Sequence, residues 1–412
     1  MLTLSAITTV RTHAGQPLPS NSPALPKAKA PQLPSWPMQG GGPAHTRAQG
    51  ADVGAPPVSK LEEVWHSSLI SRTTSEPTGS AGTVYVTHGD RELRALDTKT
   101  GSVKWRFATS GPVTAPPTVH GSTIAFTDSE GTLYNLDSST GQTRWRRQAD
   151  YAATAVTIAA PAPGRAPWIY VATPRGPEAL DLTGRHQWAF PTRSALSTPL
   201  SIEGGRAYFG SRDTSMYAID ALTGRLLWST RIGSPISTPA SVDGTSVYVG
   251  STNGQIRALS TSSGVLQWGR RTGSAVKQPI AVGQSGRTKA VFAVAGRKVI
   301  ALVAADGRLS WTHPTATTQL SAPSLAGGQL LLGEGNRVIA LDPETGRTVW
   351  QKALDGQVAA PVMTEGRLLI ATAGQQLHAF DPHPHLLVRD RRALPSPAPS
   401  LPIAPSPATP AR

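Results

Sequence analysis

The segment AIDALTGRLLW, residues 218–228, decides how the chain is to be read. An apolar β-forming pair leads to Asp, then to Thr-Gly, then to a short strand that ends on Trp. Variants of it are ALDTKTGSVKW (95–105), NLDSSTGQTRW (135–145), ALDLTGRHQW (179–188), ALSTSSGVLQW (258–268), ALVAADGRLSW (301–311) and ALDPETGRTVW (340–350). Together with LEEVWHS (61–67) they set Trp65, Trp105, Trp145, Trp188, Trp228, Trp268, Trp311 and Trp350 at intervals of 39 to 43 residues. A period held this closely along the chain marks a repeat architecture.

The rest of each unit repeats too. Short β-rich runs precede the Asp-Thr-Gly element: TVYVTH (83–88), TIAFTD (123–128), WIYVAT (168–173), RAYFGS (206–211), SVYVGS (246–251), AVFAVA (290–295), QLLLGE (329–334) and RLLIAT (367–372). Upstream of most lies a Pro-containing element, as in TAPPTV (114–119), STPLSI (197–202), STPASV (237–242), SAPSLA (321–326) and AAPVMT (359–364). Each unit thus holds four strands joined by tight turns. Gly101, Gly141, Gly184, Gly224, Gly264, Gly307 and Gly346 supply the residue at ease with φ > 0, and the preceding Asp can cap the turn. Glu130-Gly131 and Asn253-Gly254 mark hairpins between second and third strands, the latter with the signature of a type I′ turn.

Radial four-stranded blades remove exposed sheet edges. Trp65 precedes every unit, and the last unit, ending at AFDPH (379–383), has no Trp after it. The Trp65 strand is therefore expected to complete the last blade. The expected fold is an all-β, eight-bladed β-propeller of four-stranded antiparallel blades over 61–388. A Trp in every outer strand is read as interblade packing, each indole burying apolar area while its N–H finds a carbonyl.

Composition narrows the chemistry. The chain of 412 residues has no Cys, which removes disulfides, thiolate metal sites, a Cys nucleophile and a lipid-anchor Cys. Its net charge is +14, and only nine of 39 basic residues are Lys. No long Lys/Arg run or nucleic-acid motif accompanies this excess, so it is read as solvated surface charge and nucleic acid is not expected as a partner. Arg106, Arg146, Arg147, Arg231, Arg270 and Arg271 follow the Trp positions and are read as outward edge charges that discourage strand pairing. No stretch is long and apolar enough for a spanning helix. Residues 1–35 are expected to be a disordered leader with a degenerate signal segment at MLTLSAITTV (1–10). Residues 389–412 are expected to form a tail, basic at Arg389, Arg391 and Arg392 and then Pro-rich.

The repeat resembles the PQQ-like repeat of quinoprotein alcohol dehydrogenases and of the assembly factor BamB. WPMQGGGPAHTR (36–47) resembles the leader, taken as 36–60, that precedes such propellers. The Trp-Asp pair of WD-repeat propellers is missing. The dehydrogenase branch implies PQQ with Ca²⁺ held by carboxylate and amide oxygens, an Asp base and often a vicinal Cys pair, and this chain has no Cys. Asp128, Glu130, Asp213 and Asn253 lie near hairpins and read as turn residues, so no catalytic or metal-binding residue is assigned and no cofactor is expected. The resemblance to the non-catalytic BamB-like branch implies a monomeric propeller that binds another protein, in the periplasm or outside the cell. A PQQ-dependent oxidoreductase is the alternative, and a polyanion or carbohydrate binder the second. His378, Asp381, His383 and His385 cluster in sequence and are read as a surface turn ahead of an adventitious metal site. Gly40, Gly41 and Gly42 form a loop with no helix behind it to bind phosphate.

Overall fold

A computed structural model describes Met38, residues 40–42 and 45–48, and 61–381 apart from 70–75, 89–90, 114, 150–154, 197 and 237. The expected segments at 1–35 and 389–412, with His383 and His385, lie outside the described residues, as does much of 36–60. Among the described residues, thirty-two strands make eight four-stranded antiparallel sheets. After β1 (Glu62–Ser68), blades 1 to 7 are β2–β5 (78–108), β6–β9 (118–148), β10–β13 (155–189), β14–β17 (201–231), β18–β21 (241–271), β22–β25 (281–314) and β26–β29 (324–353). Blade 8 is β30–β32 (362–381) plus β1, which pairs antiparallel with β32 from Glu62↔Asp381 to Ser68↔Gln376. The first strand of the chain therefore closes the ring.

The repeated residues build the contacts between blades. Seven of the eight repeat indoles lie against the turn glycine of the next blade: Trp65 on Gly101, Trp105 on Gly141, and so on to Trp311 on Gly346. A Cβ at these glycines would stand 2.5 to 3.1 Å from indole carbons, and their φ lies between +69° and +86°. The indole N–H groups donate across the same gap: Trp65 to Thr98 O (3.1 Å), Trp105 to Ser138 O (3.1 Å), Trp145 to Leu182 O (2.8 Å) and Trp188 to Ala221 O (3.1 Å). Trp228 donates to Thr261 O (3.0 Å), Trp268 to Ala304 O (2.8 Å) and Trp311 to Pro343 O (2.9 Å). Trp350 meets Phe380 edge-on at 6.1 Å.

The turns define two faces. On the turn face, Asp97, Asp137, Asp181, Asp220 and Asp342 each accept backbone N–H groups of their own turn through Oδ1. These turns also bond to the hairpins between first and second strands, as in Thr98 N to Gly82 O and Ala221 N to Gly205 O. On the opposite, crossover face, the blade-to-blade connections bond to the hairpins between second and third strands, as in Ile232 N to Thr214 O and Thr272 N to Gly254 O. One of those hairpins differs from its sequence reading. In the Asn253-Gly254 turn only the glycine has positive φ (+77°), and Gly254 N donates to Ser251 O. A type I′ turn needs positive φ at both central residues, so this is a four-residue turn with Gly in its last position.

Two glycines separate the effects that hold the turn. Gly244 has positive φ but open space where a Cβ would go, whereas Gly264 has positive φ and the Trp228 indole against it. Gly244→Ala is expected to cost about 1–2 kcal/mol, the left-handed penalty alone. Gly264→Ala should cost about 1–3 kcal/mol more, because it also overpacks the indole. Urea midpoints of the two variants measure the difference.

Candidate functional site in the axial channel

The innermost strands surround the propeller axis, and those of blades 2 to 5 each carry a small hydroxyl that bonds across to the next blade. Thr118 Oγ1 donates to Val156 O, Thr157 Oγ1 to Leu200 O, Ser201 Oγ to Ala240 O and Ser241 Oγ to Ile280 O. Each bond crosses to the next blade, so these residues form a polar belt around part of the channel wall.

Inside that wall lies a segment of the chain itself. Ser241 Oγ also donates to His45 O (3.0 Å), Val282 N to Thr46 O and Leu325 N to Arg47 O (both 2.8 Å), and Ala48 makes a parallel bridge to Leu325. His45 Nε2 donates to Leu200 O at 3.2 Å. Residues 45–48 thus touch the inner strands of blades 4 to 7. Arg47 is fully buried, its Nε donating to Pro323 O (2.8 Å) and its Nη2 to Ser324 Oγ (3.0 Å). Its Nη1 lies 2.8 Å from Oε2 of Glu76, which is 5% exposed, and Oε1 of Glu76 accepts Gly40 N at 2.8 Å. Gly40 is needed because a Cβ would meet the His45 ring and backbone at about 3 Å. The three-glycine run is therefore a turn that brings His45 and Arg47 to the axis, with Arg47 N bonded to Gly40 O.

A second polar cluster sits where the ring closes, at an open cleft between blades 7 and 8. His378 Nδ1 lies 2.9 Å from Glu63 Oε1 and its Nε2 3.1 Å from Asp355 Oδ1. Lys352 Nζ and His66 Nδ1 approach Glu63 at 3.6 and 3.3 Å. Burial raises the Glu63 carboxyl, but His378, Lys352 and His66 outweigh it and hold that group below its ordinary range. Thr372 and His378 do the same for Asp355 against its own partial burial. His378 and Asp381 are not brought together: Asp381 faces Arg367 at 3.3 Å.

The hairpin acids are committed to their own turns. Asp128 Oδ1 accepts Glu130 N and Thr132 N, and its Oδ2 accepts Gly111 N and the Tyr134 hydroxyl. Asp213 accepts Ser215 N and the Tyr217 hydroxyl. Asn253 Oδ1 accepts the Ser251 hydroxyl. Among the described residues no three His, Asp or Glu side chains are placed to hold a metal ion.

The family described as outer membrane protein assembly factor BamB matches at residues 59–176, 178–325 and 318–384. The chain belongs to the BamB family of PQQ-like repeat propellers. BamB from Moraxella catarrhalis is similar at 18% identity and a TM-score of 0.67, over 78% of this chain and 97% of that one. A europium-containing methanol dehydrogenase aligns at 14% identity and a TM-score of 0.70, over 84% and 98%. The quinohemoprotein alcohol dehydrogenase from Comamonas testosteroni aligns at 14% and 0.69, over 85% and 80%. At these identities the structures share the fold alone. No curated protein matches the chain.

The contacts of residues 45–48 with the inner strands, and the roles of Arg47, Glu76 and the hydroxyl belt, were not read from the sequence. A signal for the belt was present: Thr118, Ser201 and Ser241 each stand one or two residues after a Pro of the repeated element.

Removing one partner of a buried ion pair strands the other charge. Arg47→Met is therefore expected to cost about 3–5 kcal/mol, and Arg47→Met with Glu76→Leu less than either single change. Thermal melts of the three variants measure this. At the closure joint the carboxyl groups bind protons less readily in the fold than in the unfolded chain. Their contribution is therefore present above the ordinary carboxylate range and lost as the pH falls below about 4. Glu63→Gln and Asp355→Asn should each flatten the acid limb of a plot of melting temperature against pH.

Proposed function

We propose that the protein is a non-enzymatic scaffold that holds another protein in the bacterial cell envelope or outside the cell. The observation that carries this reading is the axial channel, in which the chain lays its own residues 45–48 along the inner strands of blades 4 to 7 and anchors them with the Arg47–Glu76 pair. With its own chain bonded to the inner strands, the propeller offers its loops to a partner, and membership of the BamB family supports the same reading. Fold alone does not assign activity, since the likeness to quinoprotein dehydrogenases is of equal quality.

Two measurements test the proposal. A photo-crosslinking residue at Asn253 or Asn336, both exposed in crossover-face hairpins, should give a discrete protein adduct in the native cell, and one at Lys99 on the turn face should not. Calorimetric titration with PQQ, with and without Ca²⁺, should show no saturable binding. One quinone bound per chain with dye-linked alcohol oxidation would replace the scaffold reading by that of a quinone-dependent oxidoreductase.

A further inference from the structure

Charge is divided unevenly between the two faces. Between Asp213 and Glu334 the chain holds three acids, Asp220, Asp243 and Asp306. All three lie on the turn face: Asp220 caps its turn, Asp243 accepts Lys289 Nζ at 2.7 and 2.8 Å, and Asp306 pairs with Arg308 at 2.6 Å. The crossover face of blades 4 to 6 carries Arg212, Arg231, Arg257, Arg270, Arg271 and Arg297, none of them in an ion pair among the described residues. Two acids border them: Asp213 accepts Ser215 N and the Tyr217 hydroxyl, and Glu334, which accepts Ala316 N beside Arg297, pairs with Arg337.

These cations form one continuous arc. Arg231 ends its outer strand beside the hairpin that carries Arg212, since Ile232 N donates to Thr214 O. Arg257 reaches from blade 5 to the Arg231 carbonyl of blade 4 at 3.5 Å, and Gln255 pairs across the sheet with Arg271. The loop after Arg271 packs through Ser274 on Gly296, next to Arg297 in blade 6. Six like charges along one arc, against two acids at its margins, leave a net repulsion. An anionic partner removes that repulsion.

The chemistry around the arc selects the partner. Six Arg and, among the described residues, no exposed large apolar side chain make a surface of charged forks. The exposed Val103, Leu226, Val265, Leu266, Leu309 and Val349 all lie at the turn-face ends of outer strands or beside them. The arc thus offers no apolar wedge to enter a bilayer and no exposed aromatic to stack on bases. Guanidinium forks match carboxylates in bidentate geometry. We infer that the crossover-face arc of blades 4 to 6 docks an Asp/Glu-rich segment of a partner protein. This rests on the scaffold reading and adds the face and the chemistry of the partner.

The test uses the full chain and a fluorescein-labelled deca-glutamate peptide, read by anisotropy at low and at physiological salt. The wild type should bind and weaken as salt rises. Reversal of Arg231, Arg270 and Arg271 to Glu should weaken binding by about tenfold or more, at an unchanged melting temperature. Reversal of Lys99, Arg225 and Arg287 on the turn face alters the net charge equally and should change binding by less than about threefold. Equal loss in both variants, no binding by the wild type, or tighter binding to phosphatidylglycerol vesicles or to duplex DNA than to the peptide would each overturn the inference. The Asn253 crosslink separates the two readings. If it forms equally with the arc reversed, the scaffold stands and the acidic-segment assignment falls.

Discussion

The ring is held by a carbonyl that accepts twice. At each described junction, the carbonyl at the start of the capped turn takes the Trp N–H of the preceding blade and a second donor from that blade. For Ser138, Ala221, Thr261 and Ala304 the second donor is a tyrosine hydroxyl, from Tyr85, Tyr170, Tyr208 and Tyr248 at 2.9 to 3.4 Å. Burial pushes each of these phenols up, which keeps them protonated as donors. Where no tyrosine is present another group replaces it: Asn135 at Leu182, Ser285 at Pro343, and Arg367 at Thr98. The side chain varies while the carbonyl stays doubly bonded, which makes the acceptor the fixed element. A buried carbonyl with one of these donors removed keeps the other, so such a junction weakens by about 0.5–1.5 kcal/mol rather than failing.

This arrangement explains which parts of the fold could be read from the sequence. Trp, turn Gly and capping Asp recur at fixed offsets because they meet in one local geometry, with the indole on the glycine and the carboxylate on the turn. Trp65 could be assigned to the closing strand because counting alone left the last blade one strand short. The second donors were not legible, since four residue types from different strands serve one acceptor. Nor was the axial segment, whose contacts join residues 45–48 to positions as far away as Leu325 and so leave no periodic trace. The Asn253-Gly254 turn was misread for a related reason, since the dipeptide is compatible with two hairpins and the Gly254–Ser251 bond selects the other.

The uneven charge follows from the same turn chemistry. Asp is used at the turn because its carboxylate accepts the turn N–H groups, and repeating the turn around the ring repeats an acid on one face. Several basic residues on that face answer these acids, as Lys104 does Asp97 and Arg144 does Asp137. In blades 4 to 6 the crossover face does not repeat an acid, because only the blade-4 hairpin uses one, Asp213, while those of blades 5 and 6 turn on Gly254 and Gly296. In a chain of net charge +14, the unpaired arginines then collect opposite the capped turns. The binding surface inferred for blades 4 to 6 is thus a consequence of how the blades are joined, and it differs from a scattered excess of charge in that its six arginines run together while the bordering acids, Asp213 and Glu334, are bonded to backbone N–H groups.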